Sequence, residues 1–164
     1  SGKVYVRVSG ANTSGGASFT LKVMPAAVAQ GSSAAPLDIS NALPYQGTAL
    51  SASHYLVTGL TPGQFYTVTL DNVLYNAELN VYQRKYFDYA TCASTNAAWA
   101  GETCTVAANF EGRLYIKVGA NNATINNIGA YFRINVAAAT GSERYFEGYA
   151  DAPMALSGRM PYAA

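Results

Sequence analysis

The stretch "GRLYIKVGANN" (residues 112–122) alternates apolar and polar side chains and then runs into glycine and asparagine, the pattern of a half-buried strand entering a loop. Six further segments carry the same period of two with β-branched and aromatic enrichment: "KVYVRV", "SFTLKV", "FYTVTL", "AELNVYQ", "TCTVAANF" and "AYFRINV". Turn chemistry such as "LTPGQ" and "FEGR" divides them, with Gly and Pro supplying the dihedrals. Only "PAAVAQGSSAA" has helical character, and its Gly and Ser make it read better as a linker. Seven strands with short turns and no helical crossovers predict an all-β fold, an antiparallel β-sandwich.

The same stretch has a near copy earlier in the chain. "GKVYVRV" at 2–8 matches "GRLYIKV" at 112–118 position by position, and "GASFTLKV" at 16–23 matches "GAYFRINV" at 129–136. "APLDISNALPY" at 35–45 returns as "APMALSGRMPY" at 152–162, keeping both prolines, the serine and the tyrosine. Self-similarity at a fixed offset is the signature of tandem units. The expected organisation is a closing hairpin of a preceding repeat, or an assembly arm, at 1–24, a linker at 25–33 and one complete unit at 34–136. A second linker at 137–150 then leads to the first strand of a following repeat, or a second arm, at 151–164. The chain begins "SGKVYVRV", without Met or an apolar leader, so the expectation is a processed chain or an excerpt of a longer one.

Composition narrows the partners. Of 164 residues, 10 are Lys or Arg and 9 are Asp or Glu. The basic residues stand singly, without the clustered positive footprint that nucleic-acid binding requires. No apolar run approaches the 18 or so residues that would span a bilayer, so membrane insertion is not expected. Charged residues make up 12% of the chain, about half the usual share, while Tyr, Thr, Ser, Asn and Gly abound. That balance suits a secreted, extracellular or cell-surface β-protein. Cys92 and Cys104, twelve positions apart in "CASTNAAWAGETC", favour a disulfide closing a loop over a pair of free thiols. They make a poor zinc site, because His54 is the only histidine.

Taken together, "YLVTGLTPGQFYTVTLDNVLYNAELNVYQ", "CASTN", "GETCTV", "GRLYIKV" and "GAYFRINV" resemble the bacterial pre-peptidase C-terminal domain family. The resemblance covers roughly residues 36–136. It implies a jelly-roll β-sandwich, secreted, often repeated, and carried as a non-catalytic appendage of secreted proteases and other large extracellular proteins. Glu78 stands where that family often has Asp at the start of its "ELNVY" strand.

The residues offer no catalytic constellation. His54, in "SASHYLV", has no recognisable nucleophile motif beside it. Asp38, Asp71, Glu78, Asp88, Glu102 and Glu111 are scattered among turns and strand ends, which reads as solvated charge rather than as paired acid and base. No activity is expected, and no cofactor. Calcium is the one candidate ion, with backbone carbonyls and Asp71 or Glu78 as its ligands, because the chain has no Asp-rich loop.

Two features point outward. Tyr86, Phe87, Tyr89 and Trp99 surround the cysteine pair and form a candidate binding loop, since aromatic rings on a stapled loop stack on sugars or anchor protein partners. The competing reading is that they cover the disulfide and cap the open end of the sandwich. Asn12 in "NTS" and Asn122 in "NAT" match the glycosylation triplet and mark exposed loops.

The flanks supply candidate assembly strands: Val4, Tyr5, Val6, Phe19 and Leu21 at one end, and Met154, Leu156 and Tyr162 at the other. A lone hairpin is marginal in water, and unpaired strands serve strand addition between chains. The expected function is therefore a structural module of a fibre, adhesin or surface layer. Its partners would be other copies or neighbouring repeats, with a polysaccharide or a cell-surface protein as further ones. The alternative is a substrate- or carbohydrate-binding accessory domain of a secreted hydrolase.

Overall fold

A computed structural model describes residues 5–8, 19–21, 23, 28–120 and 129–140. Among them every regular element is a strand: β1 (Leu37–Asp38), β2 (Tyr45–Ala49), β3 (Ala52–Val57), β4 (Phe65–Leu74), β5 (Ala77–Tyr82), β6 (Cys92–Ser94), β7 (Glu102–Ala107), β8 (Leu114–Ala120) and β9 (Ala130–Ala138). Among the described residues no helix is long and apolar enough to cross a membrane. One sheet has the order β1-β3-β8-β5-β6 and the other β2-β9-β4-β7. Strands β2 to β9 thus fill the two four-stranded layers of a jelly roll, with β1 added in parallel to the edge of β3.

Strand burial follows the pleat. In β8 the alternate residues Leu114, Ile116 and Val118 are fully buried, and Phe132 and Ile134 of β9 meet them from the opposite layer. Tyr55, Leu70, Val68, Leu79 and Val81 complete the central core. Burial of each such side chain contributes about 1.5–3 kcal/mol. Gly47 on β2 lies so close to Phe132 and to the Tyr55 hydroxyl that any Cβ would collide with them. Between Asp71 and Leu74 β4 advances three residues while β9 advances two, from Arg133 to Tyr131, and this one extra residue, with Asn72 at φ 50°, is a β-bulge.

Two expectations are corrected here. The segments at 112–118 and 129–136, whose sequence counterparts at 2–8 and 16–23 read as a closing hairpin, are not a hairpin themselves: β8 pairs with β3 and β5, while β9 pairs with β2 and β4. Each is a central strand of a different layer. Period-two alternation reports one buried face and is silent on which sheet a strand joins. Secondly, part of the expected 25–33 linker belongs to the sandwich. Val28 and Gln30 bond across the β2–β3 margin: the backbone N–H of Thr48 (3.0 Å) and the Tyr55 hydroxyl (2.7 Å) both donate to Gln30 Oε1. The Gln30 N–H donates to the Ser53 hydroxyl, and that hydroxyl to the Thr48 carbonyl. These bonds satisfy groups that burial would otherwise leave costly. Burial pushes the Tyr55 phenol well above its ordinary pKa.

Of the candidate assembly residues, Tyr5, Val6, Phe19 and Leu21 lie outside the nine strands and are exposed. Val4, Met154, Leu156 and Tyr162 lie outside the described residues, as do Asn12 and Asn122.

Candidate functional site

The margin opposite Gln30 is closed by the cysteines. Cys92 on β6 and Cys104 on β7 form a disulfide, with Cα atoms 5.8 Å apart, that ties the edge strand of one sheet to the edge strand of the other. Beside it sits Glu102, fully buried. Its carboxylate accepts hydrogen bonds from the Ser94 hydroxyl and the Asn96 N–H (2.9 Å). This corrects the expectation of a solvated charge. The alternation in "ETCTV" places Glu102 on the same inward face as Cys104 and Val106, which is the signal that locates it.

The aromatic segment divides into two places. After β5 the loop 83–91 folds back over the outer face of its own sheet, and Phe87 is the plug. Its ring meets His54 edge-on at 4.7 Å, Tyr82 at 5.1 Å and Tyr115 at 5.8 Å. Phe87 holds φ 53°, a left-handed conformation that only such packing retains. Tyr86 and Tyr89 point outward, 71% and 80% exposed. The Lys85 ammonium stands 5.2 Å from the Tyr86 ring centre, within cation–π range. An open groove of about 360 Å³ runs between this loop and the 33–36 segment, floored by Leu56 and Tyr115 and walled by Pro36, Lys85 and Tyr86.

Trp99 is elsewhere. Its backbone N–H donates to the Tyr75 carbonyl (2.9 Å), and the two rings lie 5.0 Å apart. Both residues have φ 70°. Tyr75 precedes β5 and Tyr82 ends it, so Trp99 and the Tyr86–Tyr89 cluster occupy opposite ends of a strand roughly 20 Å long at about 3.3 Å per residue. The expected single aromatic patch is therefore two. Phe87 serves packing, while Tyr86, Tyr89 and Trp99 face solvent.

The acidic residues are individually engaged. Asp71 receives Arg133 Nε (2.6 Å), Arg133 Nη2 (2.8 Å) and Asn135 Nδ2 (2.8 Å), and the Arg133 bonds hold its carboxyl below the usual range. Asp38 is likewise lowered, by the Ser40 hydroxyl and then the Ser40 N–H. Glu111 pairs with Arg113 at 2.9 Å. Among the described residues, no three His, Cys, Asp or Glu side chains gather into a set that would hold a metal ion.

His54 is packed under Phe87, with its Nδ1 buried and lacking a hydrogen-bond partner among the described residues. Burial, and then the charge of Lys117, depress its pKa. A depressed histidine stabilises the fold above its unfolded value of about 6.5, and that contribution is lost as pH falls through the folded value. Asp71 and Asp38 act in a lower window, below about 4. The melting temperature is therefore expected to fall between pH 7 and pH 5 in the native chain and to stay flatter in His54→Gln. Equal slopes in thermal melts of the two would refute the assignment.

No family model matches this chain, and no curated protein matches it either. Among solved structures it is similar to the pre-peptidase C-terminal domain of a collagenase from Bacillus anthracis, with a TM-score of 0.41 and 10% sequence identity. The alignment covers 57% of this chain and 86% of that one.

Proposed function

We propose that this chain is a non-catalytic extracellular structural module that assembles through its terminal segments into a fibre, adhesin or surface layer. The observation that carries the reading is an imbalance of burial. Between Val28 and Ala138 the sandwich is closed at both margins, by Gln30 and by the disulfide. Outside it, Tyr5, Val6, Val8, Phe19, Leu21 and Val23 stand exposed in strand-forming sequence. Apolar residues spaced in this way need a partner. The disulfide fits an oxidising, extracellular compartment.

Electron microscopy and light scattering on the whole chain at rising concentration, beside a form lacking residues 1–24, test the reading. The cut leaves Val28 and Gln30 in place, so the sandwich is kept. Assemblies from the whole chain that vanish in the shortened form are expected. Monodisperse particles from both would refute flank-mediated assembly.

A second reading, a carbohydrate- or substrate-binding accessory domain, is favoured by the groove beside Tyr86 and by the exposed ring of Trp99. Because the two sites are far apart, retention on insoluble polysaccharide lost in Tyr86→Ala or in Trp99→Ala alone would identify which one acts.

A further inference from the structure

The loop 83–91 carries chemistry that the packing of the sandwich does not use. Its ends are pinned to the strands around it. The Gln83 amide donates to the Ala107 carbonyl (2.9 Å), the Asn109 amide donates to the Gln83 carbonyl (3.1 Å), and the Thr91 N–H donates to the Val81 carbonyl (2.8 Å). Its middle is held by the Phe87 ring. Four of the side chains left outside are Arg84, Lys85, Tyr86 and Tyr89, all exposed. Neither cation has a carboxylate partner among the described residues. Asp88, the one carboxylate of the loop, accepts the Tyr89 N–H (2.9 Å). A loop fixed at both ends and in the middle presents these groups with little further ordering on binding.

Two open grooves border the loop, and each sets one cation beside one tyrosine. The groove floored by Leu56 and Tyr115 has Lys85 and Tyr86 in its wall, with the Lys85 ammonium 5.2 Å from the Tyr86 ring centre. A second groove, of about 340 Å³, is lined by Gln83, Arg84, Tyr89 and Thr91. No carboxylate among the described residues lines either one. Arg84 and Lys85 are consecutive, with Cα atoms about 3.8 Å apart, so the two pairs of ring and cation are neighbours. A tyrosine ring offers a rigid face for stacking, and a guanidinium or ammonium offers charge-assisted hydrogen bonds to a carboxylate. A ligand that satisfies both pairs has a stackable ring and an anion in each of two successive units. Nucleic acid fits less well, because two cations neutralise too few phosphates to hold it.

We propose that the loop 83–91 is a binding site for an anionic polysaccharide of the uronic-acid class, with Tyr86 and Tyr89 stacking on sugar faces while Lys85 and Arg84 take the carboxylates. The proposal rests on the accessory-domain reading and is independent of assembly. Trp99, at the other end of β5, takes no part.

The test is calorimetric titration of the whole chain with polygalacturonate, with the same polymer methyl-esterified on its carboxyls, and with polyglutamate. Binding to polygalacturonate is expected, weakening as salt rises, and binding to the other two is expected to be markedly weaker. Arg84→Gln/Lys85→Gln and Tyr86→Ala/Tyr89→Ala are each expected to lower the affinity about tenfold or more. Both keep the melting temperature of the native chain, since all four side chains are exposed. Trp99→Ala is expected to bind as the native chain does. Equal affinity for the esterified polymer would overturn the selection by charge and leave a carbohydrate-binding domain standing. Equal affinity for polyglutamate would overturn the stacking on sugar. Retention on polysaccharide that is lost in Trp99→Ala and kept in both loop variants would overturn this site and leave the accessory reading intact, whereas retention on no polysaccharide, charged or neutral, would overturn both.

Discussion

Phe132→Ala is expected to lower the unfolding free energy by about 4 kcal/mol, while Phe19→Ala leaves it unchanged and weakens assembly instead. The two residues occupy equivalent places in repeated sequence, "GAYFRINV" and "GASFTLKV". Their surroundings differ. Phe132 is buried against Gly47 and meets Tyr55 edge-on at 6.2 Å. Truncation there removes the transfer energy of the ring and leaves a cavity that Gly47, lacking a side chain, cannot fill; such changes cost roughly 3–5 kcal/mol. Phe19 is largely exposed, so its loss leaves no cavity in the sandwich. Urea titrations give the stability of each variant, and light scattering gives its association. A loss of several kcal/mol in Phe19→Ala would show that the flank is part of the folded unit and would contradict the division drawn here.

The second large effect concerns the disulfide. Cys92→Ala/Cys104→Ala is expected to be less stable by about 3 kcal/mol, the loop-closure entropy of a ring of this size. For a domain near 100 residues that corresponds to a melting temperature lower by on the order of 15 °C. The Cys92–Cys104 bond is the covalent tie between the free edges of the two sheets. When it is removed, the β6–β7 margin relies on Glu102 and its bonds to Ser94 and Asn96. Thermal melts with and without reductant should move the native chain toward the variant and leave the variant unchanged. A melting temperature insensitive to both would mean that the Glu102 network and sheet packing hold this margin unaided.

The class of fold was legible because five strands, β4, β5, β7, β8 and β9, bury apolar residues on one face and show it as alternation. The others hid for identifiable reasons. In β3, "ASHYLV", an inward position is taken by Ser53, which is fully buried but bonded to Thr48, so the alternation is broken at the level of sequence. In β2, "YQGTA", another inward position is Gly47, chosen for the ring beside it. Strands β1 and β6, of 2 and 3 residues, are too short for any period to register. Sheet membership was illegible altogether, which is why β8 and β9 read as a hairpin.

The candidate site was legible residue by residue but not in its grouping. Tyr86, Tyr89 and Trp99 were recognisable as aromatic residues near a staple, and the staple itself followed from cysteine spacing. Sequence nearness misled about Trp99, because the chain runs down β6 and turns before reaching it, so that it pairs with Tyr75 at the far end. Glu102 reads as a surface charge when charge alone is considered, although its parity with Cys104 argues for an inward place. Gln30 carried no signal at all; its role as the acceptor for both Thr48 and Tyr55 exists only once β2 and β3 are side by side.

Amide hydrogen exchange of the whole chain, followed at residues 5–8 and 19–23 as protein concentration rises, tests the central claim most directly. The account predicts rapid exchange at low concentration and strong protection of these amides in the assembled state, while β8 and β9 remain protected throughout. Exchange at the flank that is the same at every concentration would contradict it.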